Sequence, residues 1–310
     1  MPDTVVIVGA TGFVGRNLVR FLKGRAARVL PVSSAGATVE GIAGLTLADL
    51  ETADLSPDTV LVHLAAIRYD PATFAAMQPA ILAGNVELTN HLYRLCADKG
   101  IAEMRVASSS AVYPAGEMDF DDAQPLDLNR DPNAGELMYG WSKRIGEIYA
   151  HAFHRQKIVN TVSFRLSNPY GPHDTLDQDK AHVATAFVIR ALSGAGPFEI
   201  RGNPAAIRDF VYVGDVCEVL TRSLAWRGRN EVYNLGSGYD TTIEQLARAV
   251  LALAAPGRPL DVIGDGGGIA VRRCLNGRLR TAFAIERFTP LHDGLAPTID
   301  WYRDALARRA

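Results

Sequence analysis

Tyr139 and Lys143 stand four residues apart in the segment Tyr139-Gly140-Trp141-Ser142-Lys143. On a helix this spacing stacks the two side chains on one face, one turn apart. An ammonium beside a phenol favours the phenolate and lowers the phenol's pKa. Such a tyrosine can pass a proton to or from a hydroxyl while a hydride moves at the carbon that bears it. A third polar group is at hand in Ser108-Ser109-Ser110-Ala111-Val112-Tyr113-Pro114, a loop that follows an apolar run ending at Ala107. A serine hydroxyl there could bind the reacting oxygen. Taken alone, a tyrosine and a lysine at this spacing are commonly an accident of a helix surface. The serine loop and a glycine turn near the N-terminus set this pair apart.

That turn reads Gly9-Ala10-Thr11-Gly12-Phe13-Val14-Gly15-Arg16, after an apolar run and before a helical pattern. Glycines permit a tight turn and let the backbone approach a pyrophosphate, and the helix start offers free N–H groups and a positive dipole end. The spacing differs from the common dinucleotide fingerprint, with two residues between its first and second glycines. An ordinary strand-to-helix turn is the plain alternative. The second strand ends at Val32-Ser33-Ser34, where no carboxylate stands to bind the ribose hydroxyls of NAD. Arg16 could instead meet a 2′-phosphate, with Ser33 and Ser34 adding hydrogen bonds, which tilts the expectation towards NADP and leaves NAD open. Lys143 can also hold the nicotinamide ribose. The bland reading of Arg16 is a solvated helix charge.

The elements that must position these residues alternate through the first half. Strands are expected at 4–8, 28–32, 60–64, 102–107 and 160–164, and helices at 13–22, 79–99 and 137–156. This order requires a parallel sheet with helices on both faces. Beyond about residue 169 it loosens into helices at 181–192, 215–225, 243–253 and 294–307 and short strands near 210–213 and 232–235. Glycine-rich stretches at 194–197 and 264–268 read as loops. The expected division is a dinucleotide-binding part over 1–169 and a substrate-binding lobe over 170–310, with segments of about 207–247 as candidates to return to the first sheet.

Composition narrows the classes. The chain has 310 residues, 48% hydrophobic and 21% charged, with a net charge of −2. That balance argues against nucleic acid or an acidic membrane surface as the main partner. Cys96, Cys217 and Cys274 are few, odd in number and far apart, so a reducing cytoplasm fits best and no metal is expected. No apolar run is long enough for a membrane span, and the first strand is expected to leave no room for a signal peptide.

With these motifs in place, the chain resembles the extended short-chain dehydrogenases/reductases over nearly its whole length. The resemblance also rests on His63-Leu64-Ala65-Ala66, Asn85-Val86, Arg165-Leu166-Ser167-Asn168-Pro169-Tyr170-Gly171-Pro172, Arg208-Asp209-Phe210-Val211-Tyr212-Val213, Val232-Tyr233-Asn234-Leu235-Gly236-Ser237-Gly238 and the run from Gly294 to Tyr302. It implies an α/β fold: a Rossmann-type doubly wound parallel sheet with a smaller C-terminal α+β substrate lobe. It implies action on a nucleotide sugar and a catalytic trio of Ser109, Tyr139 and Lys143. It puts Gly9, Thr11, Gly12, Phe13, Val14, Gly15, Leu64, Ala65 and Ala66 along the cofactor, and Asp49-Leu50 at the adenine. It assigns Ser109, Ser110, Asn168, Arg208 and Arg273 to the substrate, the arginines near its pyrophosphate, where a guanidinium fork can bond two oxygens. A homodimer built on helices 79–99 and 137–156 is a further implication.

Within that family, Gly171-Pro172-His173-Asp174 followed by His182-Val183 is most similar to GDP-fucose synthases. There the histidine is an acid in epimerisation and partners a cysteine, whose position here is Ala111. The departure disfavours double epimerisation and leaves 4-keto reduction. The same loop has Ser110 and Ala111 where sugar 4,6-dehydratases carry an Asp–Glu pair, so dehydration is not expected. The leading expectation is a reductase of a 4-keto-6-deoxy nucleotide sugar. A 4-epimerase that recycles bound NAD is the alternative, and a non-catalytic dinucleotide sensor is a remoter one.

Other residues carry plainer readings. His63 is expected as a packed, hydrogen-bonded core histidine. His151 and His154 lack a third ligand and read as solvated. Arg201 could face the substrate's base or phosphate or simply the surface. His182 could act as an acid, contact substrate or fill the helix, Val183 could contact substrate, and Arg272 reads as a surface charge.

Overall fold

The computed structural model describes residues 1–26, 28–67, 73–263 and 268–309. Its first elements are β1 (Thr4–Val8), α1 (Phe13–Leu22), β2 (Arg28–Val32), α2 (Leu47–Thr52), β3 (Thr59–His63) and α3 (Phe74–Lys99). Then come β4 (Glu103–Ser109), a 3-10 turn at Ser110–Val112, β5 (Asp119–Asp121), α4 (Leu137–Arg155), β6 (Asn160–Leu166) and β7 (Asn168–Tyr170). Next are α5 (Val183–Ser193), β8 (Phe198–Ile200), β9 (Ile207–Arg208), β10 (Phe210–Tyr212), α6 (Val213–Ser223) and β11 (Glu231–Leu235). The last are β12 (Thr241–Thr242), α7 (Ile243–Ala254), β13 (Leu260–Val262), β14 (Arg273–Leu275), α8 (Gly277–Phe283) and α9 (Leu291–Ala307). Two compact units result. One comprises Met1–Gly116, Asp122–Leu166 and Cys217–Tyr233, and the other Glu117–Asp121, Ser167–Val216 and Asn234–Ala310.

The first unit is built on a six-stranded sheet in the order β11-β6-β4-β3-β1-β2, and the pairs β2–β1, β1–β3, β3–β4 and β4–β6 are all parallel. β1 and β3 are buried at every position, as strands covered on both faces must be. Val6, Val8, Leu61, Met104 and Val106 pack with Leu92, Tyr93 and Cys96 of α3 in one core cluster. Arg105, fully buried in β4, is satisfied by Glu103 and by the carbonyls of Met104, Ser223 and Trp226, so a charge ties the sheet to the returning 217–233 segment. The second unit has its own core, where α5, α7 and α9 close over Tyr170, Phe187, Phe198, Phe210 and Tyr302.

Several elements depart from expectation, among them the short strands β5, β8 and β14 and the helix α8, for which the sequence offers no periodic signal. α3 begins at Phe74 rather than at Pro79, because the Thr73 carbonyl already accepts from the N–H groups of Ala76 and Met77 and opens the helix earlier. α2 was not foreseen. Its start is a capping box in which Thr46 and Asp49 satisfy each other's backbone N–H groups. The expected loop at 264–268 lies, for 264–267, outside the described residues. No helix among the described residues is long and apolar enough to cross a membrane.

Candidate active site

α4 carries Tyr139 and Lys143 on one face, as their spacing requires, with the Lys143 Nζ 5.5 Å from the centroid of the Tyr139 ring. The helix lies hard against the turn that follows β4. Gly140 makes that approach possible: a Cβ there would sit 2.5 Å from the Ala111 carbonyl oxygen and 2.7 Å from the Pro132 Cβ. Ser109 ends β4 and caps the 3-10 turn, its Oγ accepting from the Ala111 N–H at 3.1 Å. Ser110 is half-buried in the turn and Ala111 is buried. Lys143 donates to the Ala107 carbonyl at 2.8 Å, so the lysine is held by the strand that delivers Ser109. The three expected catalytic residues thus stand on two elements joined by direct contact.

Lys143 is half-buried. Burial pushes its pKa down to about 8, and the carboxylate of Glu147 works against that shift. Glu147 lies one turn beyond Lys143 on α4. It accepts from Ser108 Oγ at 2.7 Å and from both Nε and Nη2 of Arg165, at 2.9 and 2.7 Å. Arg165 in turn donates to the Tyr113 hydroxyl at 3.0 Å. This carboxylate was missed as a site residue, although its spacing of four from Lys143 puts both on one helix face. Asn85, on α3, ties three segments together. Its side chain brackets the Ile67 backbone at 2.7 and 3.0 Å and reaches Ser142 Oγ at 3.3 Å, fixing the loop after β3 to α3 and α4.

The glycine turn sits at the C-terminal end of β1. The N–H groups of Gly9 and Ala10 donate to the Val32 carbonyl at the end of β2, and Leu64 N–H donates to Val8. Gly15 admits no side chain, because a Cβ would lie 2.1 Å from the Gly9 carbonyl oxygen. Gly12 caps α1 with no side-chain hydrogen bond, and no acidic residue lies in the first turn. Thr11 and Gly12 are exposed, and Phe13 and Val14 are half-buried at the helix start. A helix start with its positive dipole end and backbone bared by glycine suit a dinucleotide pyrophosphate, although the Gly12 N–H itself donates to the Gly9 carbonyl at 3.0 Å. Leu64, Ala65 and Ala66 follow β3 and are half-buried, with Ala65 directly against Gly9. Arg16 is half-buried on the first turn of α1. Ser33 accepts from Ala37 N–H, and Ser34 is exposed. Asp49 is occupied by its capping box, with the Thr46 backbone holding its carboxyl below the usual range, and the Leu50 side chain is wholly in the core.

The remaining expected residues lie in the second unit. Asn168 donates to the Asp209 carbonyl at 2.8 Å. Arg208 donates to the carbonyls of Ile207 and Ile269 at 2.7 and 2.9 Å. Arg273 is gripped by Asp240 at 2.7 Å and Asp119 at 3.1 Å. Arg201 is 79% exposed and paired with Glu199. His182 caps α5 just before Val183, and its Nδ1 meets Asp174 Oδ2 at 3.1 Å. In the first unit His151 is exposed as expected, but His154 is half-buried and not solvated, because its Nδ1 meets Asn160 Oδ1 at 2.9 Å.

Comparison with known proteins places this geometry in a wider group. The family model described as the NAD dependent epimerase/dehydratase family matches residues 5–236. A dTDP-4-dehydro-6-deoxy-D-allose reductase of Streptomyces bikiniensis is 30% identical, over 97% of this chain and 96% of its own length. Among solved structures, the UDP-glucose 4-epimerase of Thermotoga maritima superposes with a TM-score of 0.82 at 22% identity, covering 98% of this chain and 99% of the epimerase. A GDP-L-fucose synthetase from Naegleria fowleri gives 0.81 at 17% identity, covering 98% and 94%.

Proposed function

The chain belongs to the NAD dependent epimerase/dehydratase family, whose extended short-chain enzymes modify nucleotide sugars with a nicotinamide dinucleotide, and on that premise we propose that it reduces a 4-keto-6-deoxy nucleotide sugar. The observation that carries this reading is the turn after β4. It supplies a hydroxyl at Ser109 and then Ser110 and the buried Ala111, with no second acid–base side chain at the dehydratase or epimerase positions. The trio is then equipped for one proton transfer beside one hydride transfer. The name of the 30%-identical relative supports the same chemistry.

In this mechanism Ser109 hydrogen-bonds the keto oxygen and holds it for Tyr139. The Tyr139 hydroxyl donates its proton to that oxygen as the carbonyl becomes an alkoxide. Lys143 stays charged, stabilises the phenolate left behind and binds the nicotinamide ribose. Reduced nicotinamide, when bound, supplies the hydride. The glycine-bared backbone at the start of α1, with its positive dipole end, holds the pyrophosphate. Arg16, Ser33 and Ser34 favour NADP, since β2 ends without a carboxylate to claim the adenosine ribose. Asn168, Arg208, Arg273, Arg201, His182 and Val183 are assigned to the nucleotide sugar, and a homodimer through α3 and α4 completes the proposal.

The test is a screen of 4-keto-6-deoxy nucleotide sugars with NADPH and NADH, following nicotinamide oxidation and the sugar product together. One equivalent of NADPH consumed per sugar reduced is expected. Isomerised sugar with no net nicotinamide consumption would assign a 4-epimerase and overturn the reductase.

A further inference from the structure

Between the sheet and helices α3 and α4 lies a narrow cavity of about 10 Å³, room for about one water. His63, Thr89, Ser108, Lys143 and Glu147 are among its lining side chains. His63, at the end of β3, is 3% exposed, and its Nε2 meets Thr89 Oγ1 at 3.4 Å. Its Nδ1 is buried and has no hydrogen-bond partner among the described residues. A buried imidazole nitrogen left in this way bears a desolvation cost that a water would relieve. Lys143 also lines the cavity and brings an ammonium with three donors. One of them is taken by the Ala107 carbonyl. Glu147 already accepts from Ser108 and from the Arg165 fork, and no bond from Lys143 to it is formed among the described residues.

We propose that this cavity holds one structural water that accepts from Lys143 Nζ and donates to His63 Nδ1, which makes His63 a positioning residue for the Tyr139–Lys143 pair. His63 Nε2–H then donates to Thr89, so a single tautomer satisfies the whole chain of groups. The groups facing Lys143 agree with this arrangement. Tyr139 and Glu147 flank it on α4, Arg165 of β6 is neutralised by Glu147, and α3 and β4 present only the neutral Asn85, Thr89 and Ser108. Burial, aided by the Lys143 charge, holds His63 down to about 3, so the imidazole remains a neutral acceptor. The inference deepens the assignment of Lys143 made above. Its test reads the lysine's charge rather than turnover, so either reading can fail while the other stands.

The chain has five lysines, Lys23, Lys99, Lys143, Lys157 and Lys180, which makes a carbon-13 lysine NMR titration tractable. The Lys143 resonance is assigned by its loss in Lys143→Arg. His63→Leu is expected to lower the Lys143 midpoint by about one unit or more, the scale of one lost hydrogen bond to a charged group. A midpoint that does not move overturns the proposal. Should His63→Leu fail to fold, the wild-type protein decides. Nitrogen-15 histidine spectra should show His63 Nδ1 unprotonated from about pH 5 to about pH 9. A crystal structure should show an ordered water within hydrogen-bond reach of both atoms. A protonated Nδ1, or a dry cavity, overturns the proposal as firmly.

Discussion

Replacing Gly140 by alanine puts one methyl group where α4 meets the turn after Ser109. The new Cβ would lie 2.5 Å from the Ala111 carbonyl oxygen, 2.7 Å from the Pro132 Cβ and 2.9 Å from its Cγ. Ordinary carbon–oxygen approach is about 3.3 Å and carbon–carbon contact about 3.5 Å. The shortfall is therefore about 0.8 Å on both sides, against a backbone atom and a ring rather than the free end of a flexible chain. Helix and turn must separate by nearly that amount. Overpacking of this kind costs about 1–3 kcal/mol. Alanine returns up to about 1 kcal/mol of helix propensity over glycine. The net loss of stability should therefore be modest, at about 0–2 kcal/mol. Activity should suffer more, because Tyr139 and Lys143 shift relative to Ser109, and a displacement near 1 Å costs about a hundredfold in turnover. The assay is kcat for 4-keto sugar reduction alongside chemical denaturation. Gly146→Ala on the same helix is the stability control, since its Cβ would meet only Thr89 Cγ2 at an ordinary 3.9 Å. A Gly140→Ala enzyme with wild-type kcat would refute the claim that this contact sets the geometry of the trio.

Turnover should fall as pH rises through about 8, because Lys143 works as the ammonium and its pKa is lowered to that value. A pH profile flat to about 10 would contradict it. Lys143→Met should remove activity yet raise the melting temperature at neutral pH, since it deletes a buried charge while Glu147 keeps Arg165. A fall in melting temperature would show that the ammonium is better compensated than its environment implies. Arg105→Leu should destabilise the fold by about 3–5 kcal/mol, because Glu103 would be left buried without its cation. Urea unfolding measures the loss, and a change below about 1 kcal/mol would argue against a structural ion pair. His63 has its folded pKa lowered from 6.5 to about 3, so the folded state binds fewer protons than the unfolded chain between those values. Its contribution to stability is complete above about 6.5 and is lost as pH falls towards 3. Wild type should show this loss and His63→Gln a shallower one, read from melting temperatures across that range.

What was legible in the sequence was local. The glycine turn and the Tyr139–Lys143 pair declare themselves by spacing, because backbone geometry alone decides which neighbours share a turn or a helix face. The apolar runs of β1 and β3 gave the parallel sheet for the same reason: strands covered on both faces leave no polar alternation to mistake. What was not legible depends on pairing between distant segments. β5 and β14 are three residues each and join Asp119 to Arg273 across 154 positions, too short for any periodic signal. The grip of Glu147 on Arg165 and Ser108 needs α4, β6 and β4 assembled. Asp49 had a readable signal, the Thr46-to-Asp49 spacing of a helix cap, which the expectation of an adenine contact obscured.

The arginines of the second unit show what such hidden pairings do to function. The family resemblance assigns Arg273 to a substrate pyrophosphate. Its Nε and Nη1 are instead engaged by Asp240 and Asp119, and those carboxylates, not burial, hold its pKa above the ordinary value. A phosphate that reaches this guanidinium must displace one contact or share the cation with both. Exposed pairs of this kind contribute little, because water screens them and fixing two long side chains costs entropy. A charge-assisted, bidentate bond to phosphate is stronger than that. Displacement is thus energetically open, and the two carboxylates act as a repulsive threshold that weakens binding of any dianion. Asp240→Asn should accordingly lower KM for the nucleotide sugar and leave kcat unchanged, because it removes a competitor for Arg273 without touching the trio. An unaltered KM would place the substrate's phosphates away from Arg273.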